Sequence, residues 1–329
     1  MNPYPAWKKR DVQRKWRNFI AVFLTIILIL AIFNGIVKTA DFGRYLGKGR
    51  WDSRSSFAAA LATFPPSVFI YQKESGSLSF LKVDPDIYFE TGEPDKPLVK
   101  ISTVVKENNG LELSRVLSLS FRANIENFVT FKNEKEMNAQ AAEELFKNFA
   151  SLTTPFVILT KGLEGEIKDT NITRLDLLKL WWQLKGLSIE KLSIADMAPY
   201  GEEIITADNQ KVLGADTESL NRQIRRYLEN LEVRNEHFKV YIQNASGVSG
   251  AGRLAADFAS TIGAEVVKIE TADLTIEKTV LLTNDKSAYS AFYLVTLFNC
   301  DNIGDLQDEG GMQQIVIKVG RDFAARYFK

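Results

Sequence analysis

The sequence has one cysteine and one histidine, and each scarcity removes a class of chemistry. A single cysteine, Cys300, excludes an internal disulfide, and the apolar run 294–300 around it predicts a buried small hydrophobe. A single histidine, His237, excludes a histidine-pair metal site and any serine–histidine mechanism that does not use His237 itself. Charged neighbours make His237 a solvated linker residue in our interpretation. Zinc, haem and thiol chemistry are disfavoured, and neither a metal site nor a cofactor is predicted.

The sequence also lacks an excess of either charge, but the balance hides an asymmetry. Lysine plus arginine and aspartate plus glutamate each total 41. Residues 1–38 contain seven cations and one acid, a net charge of +6, so the remainder carries −6. A mildly acidic body is poorly suited to hold nucleic acid through phosphate contacts. Nucleic-acid binding is therefore not expected.

The longest apolar run, residues 19–37, is long enough to cross a bilayer. At about 1.5 Å per residue it forms a helix of about 28 Å, close to the thickness of the hydrocarbon core. Six cations precede it, which places the basic tail, residues 1–18, in the cytoplasm. We expect a single-pass anchor in the cell membrane, with the C-terminal bulk outside the cytoplasm.

A cleaved signal peptide is the alternative to this anchor. Signal peptides have apolar segments of about 7–15 residues, followed by small residues at the −3 and −1 positions. Here the run is longer, and Lys38 would occupy the −3 position. These features favour an uncleaved anchor, although the sequence leaves cleavage open.

Patterns beyond the anchor predict an α/β protein with two domains. Residues 38–56 are polar and form a linker, and residues 57–198 alternate strand and helix signals that predict a mixed sheet with packed helices. Residues 199–235 are interpreted as a linker and a connecting helix. Residues 236–329 follow the order β-α-β-β-α-β, which predicts a small sheet with two helices packed on it.

Three local patterns in the first domain are specific. Residues 67–71 and 78–83 predict a hairpin, and residues 136–152 have the composition of a helix with an apolar stripe. Residues Thr173 to Asp176 form a capping-box-like start of a helix that carries adjacent tryptophans, Trp181 and Trp182. Apolar residues cover most of its circumference, which predicts burial between layers, with carbohydrate stacking by the tryptophan pair as the alternative.

A loop between a predicted strand and helix, residues 244–250, contains small and polar residues. It lacks the G-x-G-x-x-G spacing of a dinucleotide site. Backbone N–H groups at the following helix start can hold an anion or a polar sugar group. The candidate ligand-binding residues are Asn244, Ser246, Gly247, Gly250 and Arg253. The alternative is that the polar side chains only shape the turn and cap the helix.

The same loop carries a resemblance to a known family. Residues 240–273 resemble the C-terminal domain of LytR-type cell-envelope proteins, in which a strand, an N-G-(S/T)-G turn, a further glycine and an amphipathic helix follow one another. The candidates of the loop match that motif together with Leu254, and Ala245 replaces its usual glycine. The resemblance extends through the predicted strand at 315–319 and covers about ninety residues.

Residues 51–198 resemble a reduced LytR-CpsA-Psr domain. The substrate-site strand of that family has a pattern like I-P-R-D-T-Y. In this chain Asp86 and Tyr88 match the pattern, but Pro85 stands at the position of the arginine. The family also has an arginine-rich stretch, whereas residues 133–152 contain no arginine.

The resemblance implies a function. Enzymes of this family are understood to move anionic glycopolymers from polyprenyl pyrophosphate to peptidoglycan, with arginines on the pyrophosphate and acidic residues, often with magnesium, assisting. The guanidinium group of arginine forms bidentate hydrogen bonds with phosphate oxygens and offsets negative charge on the leaving group. A proline can do neither. We therefore expect a catalytically degenerate envelope protein, more a binder than an enzyme, whose partner is a cell-wall glycan, a polyprenyl-linked glycan or another envelope protein.

Two alternatives stay open from the sequence. One is an active transferase with a rearranged site that uses Asp84, Asp86, Arg115 or Arg122, and magnesium in that case only. The two arginines are otherwise interpreted as solvated helix residues. The other alternative is a structural partner in a membrane complex, in which Asn34 and Gly35 support association of the anchor helix.

Overall fold

The computed structural model describes residues 23–24, 46–160, 165–206, 209–301, 303–306 and 313–328. The chain divides into a small unit, residues 1–49 with 173–175, and a large unit that contains the rest. The predicted cytoplasmic tail and, apart from residues 23 and 24, the predicted anchor lie outside the described residues. Within the described residues, we find no helix with the length and apolar character needed to span a bilayer. The anchor therefore stays a prediction.

The large unit alternates strands and helices. Its described strands are β1 (Phe57–Leu61), β2 (Ser67–Gln72), β3 (Ser77–Lys82), β4 (Tyr88–Glu90), β5 (Leu98–Lys100), β6 (Asn127–Phe131), β7 (Ile167–Thr170), β8 (Leu192–Asp196), β9 (Gly201–Ile205), β10 (Lys211–Ala215), β11 (Lys239–Asn244), β12 (Glu265–Thr271), β13 (Val280–Thr283), β14 (Ile303–Asp305) and β15 (Gln314–Val319).

The described α-helices of this unit, together with α5, whose first two residues belong to the small unit, are α1 (Ile101–Lys106), α2 (Gly110–Phe121), α3 (Ala139–Ala150), α4 (Thr154–Thr160), α5 (Arg174–Leu184), α6 (Thr217–Leu228), α7 (Leu231–Glu236), α8 (Ala251–Thr261), α9 (Tyr289–Phe298) and α10 (Arg321–Tyr327). Short 3-10 helices lie at Ile189–Lys191 and Ala198–Tyr200. The α/β class and the mixed sheets with packed helices are as predicted.

The first sheet has the strand order β7-β6-β1-β2-β3-β8 and separates two helical layers. The predicted hairpin is confirmed as antiparallel β2–β3. Side chains alternate between the two faces of β1. Ala58 and Ala60 face a core that includes residues of α2 and α6. Phe57, Ala59 and Leu61 face the opposite core, which includes residues of α3 and α5.

A second, four-stranded sheet has the order β5-β4-β10-β9. Residues 201–215 were expected to be a linker, and that expectation is wrong for this segment, because β9 and β10 form an antiparallel hairpin. Its two glycines had indicated a loop. They instead leave room for neighbouring side chains, since a Cβ on Gly201 would lie 2.8 Å from Leu213 and one on Gly214 would lie 2.5 Å from Ile204.

The third sheet has the order β12-β11-β15-β13-β14. The central strand β11 is parallel to both β12 and β15, while β13 is antiparallel to β15. The helices α8, α9 and α10 contribute Leu254, Phe258, Phe298 and Phe323 to its core. All the elements of the predicted order β-α-β-β-α-β are present, the last strand being β15, but the prediction lacks the short β14 and the final helix α10.

Candidate functional site

An apolar cavity of about 130 Å³ lies between the first sheet and the layer formed by α3 and α5. Its walls include Phe57, Ala59 and Leu61 of β1, Phe146 of α3 and Leu180 of α5. Every residue that lines it has an apolar side chain. The cavity therefore offers contacts to hydrocarbon and none of the side-chain donors that a sugar would need.

Local sequence explains why space is left here. β1 has the sequence FAAAL, so on the cavity face a methyl group at Ala59 stands between the larger side chains of Phe57 and Leu61. Opposite it, the apolar stripe of α3 places Leu145, Phe146 and Phe149 against the sheet at helical spacing. Large side chains on the helix and a small one on the strand leave the gap unfilled.

The size of the cavity limits what it holds at rest. An apolar cavity of roughly 150 Å³ stays dry and accepts a benzene-sized apolar group, whereas pockets for drug-sized ligands measure roughly 300–1,000 Å³. This cavity therefore admits about one isoprene-sized group. A longer chain requires α3 and α5 to move away from the sheet.

The acidic candidates, Asp84 and Asp86, lie in the turn after β3. The carboxylate of Asp84 accepts the backbone N–H of Asp86 at 2.8 Å, which shapes the turn. Asp86 is exposed and forms an ion pair with Lys100 at 2.6 Å, and its hydrogen bond raises the pKa of Lys100 above the usual lysine value. Asp86 is thus paired on the surface with a lysine of β5.

The candidate arginines occupy different environments. Arg115 is buried, and its guanidinium donates to Glu93 at 2.9 Å, to Glu112 and to the carbonyl oxygens of Thr91 and Tyr327. The interpretation of Arg115 as a solvated helix residue is therefore wrong. Its helix packs on the sheet face that lies away from the cavity.

Arg122 follows the end of the same helix. It adopts the left-handed backbone conformation, with φ of 50°, and its partly exposed side chain pairs with Glu90 at 3.2 Å. Among the described residues, no ion pair joins Asp84 or Asp86 to either arginine. The ion pairs of Asp86, Arg115 and Arg122 in the described residues therefore go to other partners and not to one another.

The loop at 244–250 forms a turn whose polar side chains bond to one another. The amide oxygen of Asn244 accepts the hydroxyl of Ser246 at 2.7 Å, and its amide nitrogen donates to the carbonyl of Val248 at 2.9 Å. The N–H of Val248 in turn donates to the Ser246 hydroxyl at 3.0 Å. Gly247 and Gly250 have φ of +76° and +85°, which explains the glycines. These contacts favour the turn-shaping alternative.

Two predictions about the exposure of single residues are confirmed. Cys300 is buried, as predicted, and burial raises the pKa of its thiol to about 12. His237 is exposed, as predicted. The candidate Arg253 lies on the surface of α8, where it pairs with Asp257 at 3.3 Å. A search of the described residues for clusters of metal-binding side chains finds none.

The sequence pattern predicted a capping role for Asp176 and burial for the helix that carries it, and the structure differs on both. Asp176 is buried, and its carboxylate accepts the backbone N–H of Arg50 at 2.8 Å and that of Trp51 at 3.2 Å. The prediction that α5 is buried all round is wrong, because Trp182 is 63% exposed. The indole N–H of Trp181 donates to the carbonyl of Ser151 at 2.8 Å. An aspartate between Leu175 and Leu177 in the first turn of the predicted helix was the available signal.

The chain is similar to solved LytR-CpsA-Psr proteins. The structure of Bacillus subtilis TagV is 12% identical to it with a TM-score of 0.40, and the match covers 53% of this chain and 98% of that chain. The family protein YwtF (TagT) of Bacillus subtilis, solved with bound octaprenyl pyrophosphate lipid, is 11% identical with a TM-score of 0.36, over 54% and 92% of the two chains.

A third structure, described as a transcriptional regulator of Enterococcus faecalis, is 9% identical with a TM-score of 0.41. That match covers 66% of this chain and 91% of that chain. No protein-family model matches the sequence, and no curated protein matches it. At these identities the likeness to solved structures concerns the fold alone.

Proposed function

We propose that this chain is a membrane-anchored envelope protein of the LytR-CpsA-Psr type that binds a polyprenyl-linked glycan through its hydrocarbon chain and does not transfer the glycan. The observation that carries the proposal is the wholly apolar cavity between the first sheet and the helices α3 and α5. A cavity with this lining favours a hydrocarbon chain over any polar ligand.

The distribution of arginine supports binding without transfer. Pyrophosphate transfer depends on guanidinium groups that grip phosphate oxygens and offset the charge of the leaving group. Here Pro85 replaces the family arginine, and residues 133–152 contain none. Arg115 is held by two glutamates on the opposite side of the sheet from the cavity.

Photocrosslinking to a polyprenyl phosphate tests lipid binding. The full-length protein in detergent should capture a photoreactive polyprenyl phosphate, and Ala59→Phe, which places a ring in the cavity, should reduce capture roughly ten-fold by removing space for an isoprene group. The control Leu111→Phe adds a ring to an exposed position of α2, on the other layer, and should bind like the unaltered protein. Equal capture by all three proteins would show that the cavity is not the lipid site.

Incubation with a polyprenyl-pyrophosphate glycan and magnesium tests the absence of transfer. We expect no release of polyprenyl phosphate above a protein-free control. Release that Asp86→Ala abolishes would show that the chain is a transferase with a rearranged site. Asp95→Ala, which removes an exposed carboxylate from the loop between β4 and β5, is the matched variant and should leave any release unchanged.

Two further measurements test the cellular setting. A reporter that works only outside the cytoplasm should be active when it is fused to the C-terminus, and a reporter that works only in the cytoplasm should be inactive there. The reason is that the +6 charge of residues 1–38 holds the N-terminus in the cytoplasm. Purified protein should also be enriched on isolated peptidoglycan relative to an unrelated membrane protein. Activity of the reporter only in the cytoplasm would remove the envelope function altogether.

A further inference from the structure

A group of large apolar side chains is exposed on the helices next to the cavity. We call it the α4–α5 patch and define it as the apolar residues Leu152, Phe156, Val157 and Trp182 together with the exposed Lys185. Leu152 is 79% exposed, Phe156 is 70% exposed and Trp182 is 63% exposed. Soluble surfaces carry single exposed apolar residues, but several in one place mark a site of contact with another apolar body.

The patch adjoins the two helices that wall the cavity. Leu152 lies directly between α3 and α4, and the indole of Trp181 on α5 donates to the carbonyl of Ser151 at 2.8 Å. This bond holds the α3–α4 connection against α5. Since α3 and α5 also wall the cavity, Trp182 stands on one helix that must move when a chain enters, and Leu152 follows the end of the other.

The chemistry of the patch matches a lipid headgroup region. The ammonium of Lys185 lies 3.1 Å from the ring centroid of Trp182 and 5.2 Å from that of Trp181. Tryptophan has an apolar ring with one polar N–H, so it is enriched at the interface between hydrocarbon and water. The aliphatic part of a lysine side chain lies on apolar surface while its ammonium group reaches lipid phosphate.

The length of chain before the described body restricts where the patch can be. The backbone at Arg50 is bonded to Asp176 in the first turn of α5, the helix that carries Trp182. Twelve residues, 38–49, separate Arg50 from the end of the predicted anchor. Fully extended, they span at most about 40 Å. An inserted anchor therefore limits the distance between its end and Arg50 to about 40 Å.

We propose that the α4–α5 patch docks into the headgroup region of an anionic phospholipid bilayer, so that an isoprenoid chain passes from the bilayer into the cavity without crossing water. This inference rests on the proposed function, since it requires the chain to be at a membrane. It adds the route by which the lipid arrives. Leu152 and Phe156 insert among the acyl chains, Trp182 lies at the interface and Lys185 pairs with phosphate.

Depth-dependent fluorescence quenching tests the docking. Full-length protein with Leu152→Cys or Phe156→Cys is labelled with an environment-sensitive dye and reconstituted in vesicles of phosphatidylglycerol and phosphatidylcholine that contain brominated lipid. Leu274→Cys is the matched control, because Leu274 is also 79% exposed but lies in the loop between β12 and β13. The unaltered protein is the labelling blank, since Cys300 is buried.

The two patch dyes should be quenched by brominated lipid several-fold more than the dye at position 274. Equal quenching at the three positions would overturn the proposal. Shielding of position 152 from aqueous iodide without quenching by lipid would also overturn it, because a second copy of the chain or another protein would then cover the patch.

Lipid loading separates a failure of docking from a failure of the proposed function. Leu152→Asp combined with Phe156→Asp should slow capture of polyprenyl phosphate from vesicles roughly ten-fold and leave capture from detergent micelles unchanged. Unchanged capture from vesicles would refute docking while leaving lipid binding intact. Absence of capture by the unaltered protein from either source would refute the proposed function, and the quenching result would still decide whether the patch meets lipid.

Discussion

The hydroxyl of Tyr289 donates a hydrogen bond to the carboxylate of Asp52, 3.2 Å away and 237 residues earlier in the chain. The same hydroxyl accepts the side-chain amide of Asn230 at 3.1 Å. The other carboxylate oxygen of Asp52 accepts the hydroxyl of Ser55 at 2.8 Å. Since Asp52 precedes β1 and Tyr289 begins α9, this network joins the parts of the large unit that carry the first and third sheets.

Tyr289→Phe should lower the free energy of unfolding by about 1–3 kcal/mol. The ring keeps its stacking on Tyr293, at a centroid distance of 5.8 Å, but the buried amide of Asn230 loses its acceptor. Urea denaturation of the full-length protein in detergent measures the change. Tyr88→Phe, at a half-buried position outside the network, should change it by less than about 0.5 kcal/mol. A loss no larger than that of Tyr88→Phe would show that the network adds nothing to stability.

Arg115→Ala and Arg122→Ala should differ strongly in stability. Removal of the Arg115 side chain leaves Glu93 and Glu112 without the guanidinium that both contact, in a largely buried place, so we expect a loss of about 3–5 kcal/mol. Arg122 pairs with the exposed Glu90, so its loss should cost less than about 1 kcal/mol.

Thermal unfolding of the two variants side by side measures this difference. Arg115→Lys is informative as well, because a lysine cannot reach the same four acceptors and should recover only part of the loss. Equal, small effects of both alanine variants would mean that Arg115 is available for chemistry, which would revive the transferase interpretation.

Sequence patterns predicted the elements that depend on local periodicity. The alternation of apolar and polar residues predicted the β2–β3 hairpin. The helical spacing of apolar residues predicted the stripe of α3 that lines the cavity. The composition around Cys300 predicted its burial correctly. In each case the burial of one face follows from neighbours within a few positions. The cavity itself was not predictable, because it depends on the fit between Ala59 and a helix more than eighty residues later.

Features made by distant contacts could not be predicted from the sequence. Arg115 looked like an ordinary helix arginine because its partners at residues 91, 93 and 327 lie far away along the chain. Asp176 looked like a capping residue, although it binds the backbone at Arg50 and Trp51. Gly201 and Gly214 indicated a loop, since nothing local shows that they make room for cross-strand side chains.

Alkaline pH should destabilise the folded chain. Burial, as the largest cause, raises the pKa of Tyr327 and of Tyr289 well above the ordinary value of 10, so both keep their protons in the folded state at a pH at which the unfolded chain releases them. The unfolded state then binds fewer protons, and the free energy of unfolding falls as pH rises above about 10. Below that pH the contribution is fully present.

Urea denaturation between pH 8.5 and pH 11 tests this dependence. The free energy of unfolding should fall with pH, and Tyr327→Phe should make that fall shallower by up to about 1.4 kcal/mol per pH unit above 10. The substitution also removes a hydrogen bond to Asn124 at 3.2 Å, so its effect is read from the slope and not from the stability at pH 8.5. An unchanged slope would show that Tyr327 ionises in the folded protein.

Ala59→Leu and Ala60→Leu add the same atoms to adjacent residues on opposite faces of β1. Ala60 is fully buried against the α2 layer, so a leucine there should overpack the core and cost about 1–3 kcal/mol. Ala59 borders the cavity, where a leucine gains contacts, so stability should stay the same or rise by up to about 1 kcal/mol. Urea denaturation of both variants, after delipidation, measures the contrast. If both variants lose the same stability, Ala59 faces filled space, and the lipid-binding proposal loses the observation on which it stands.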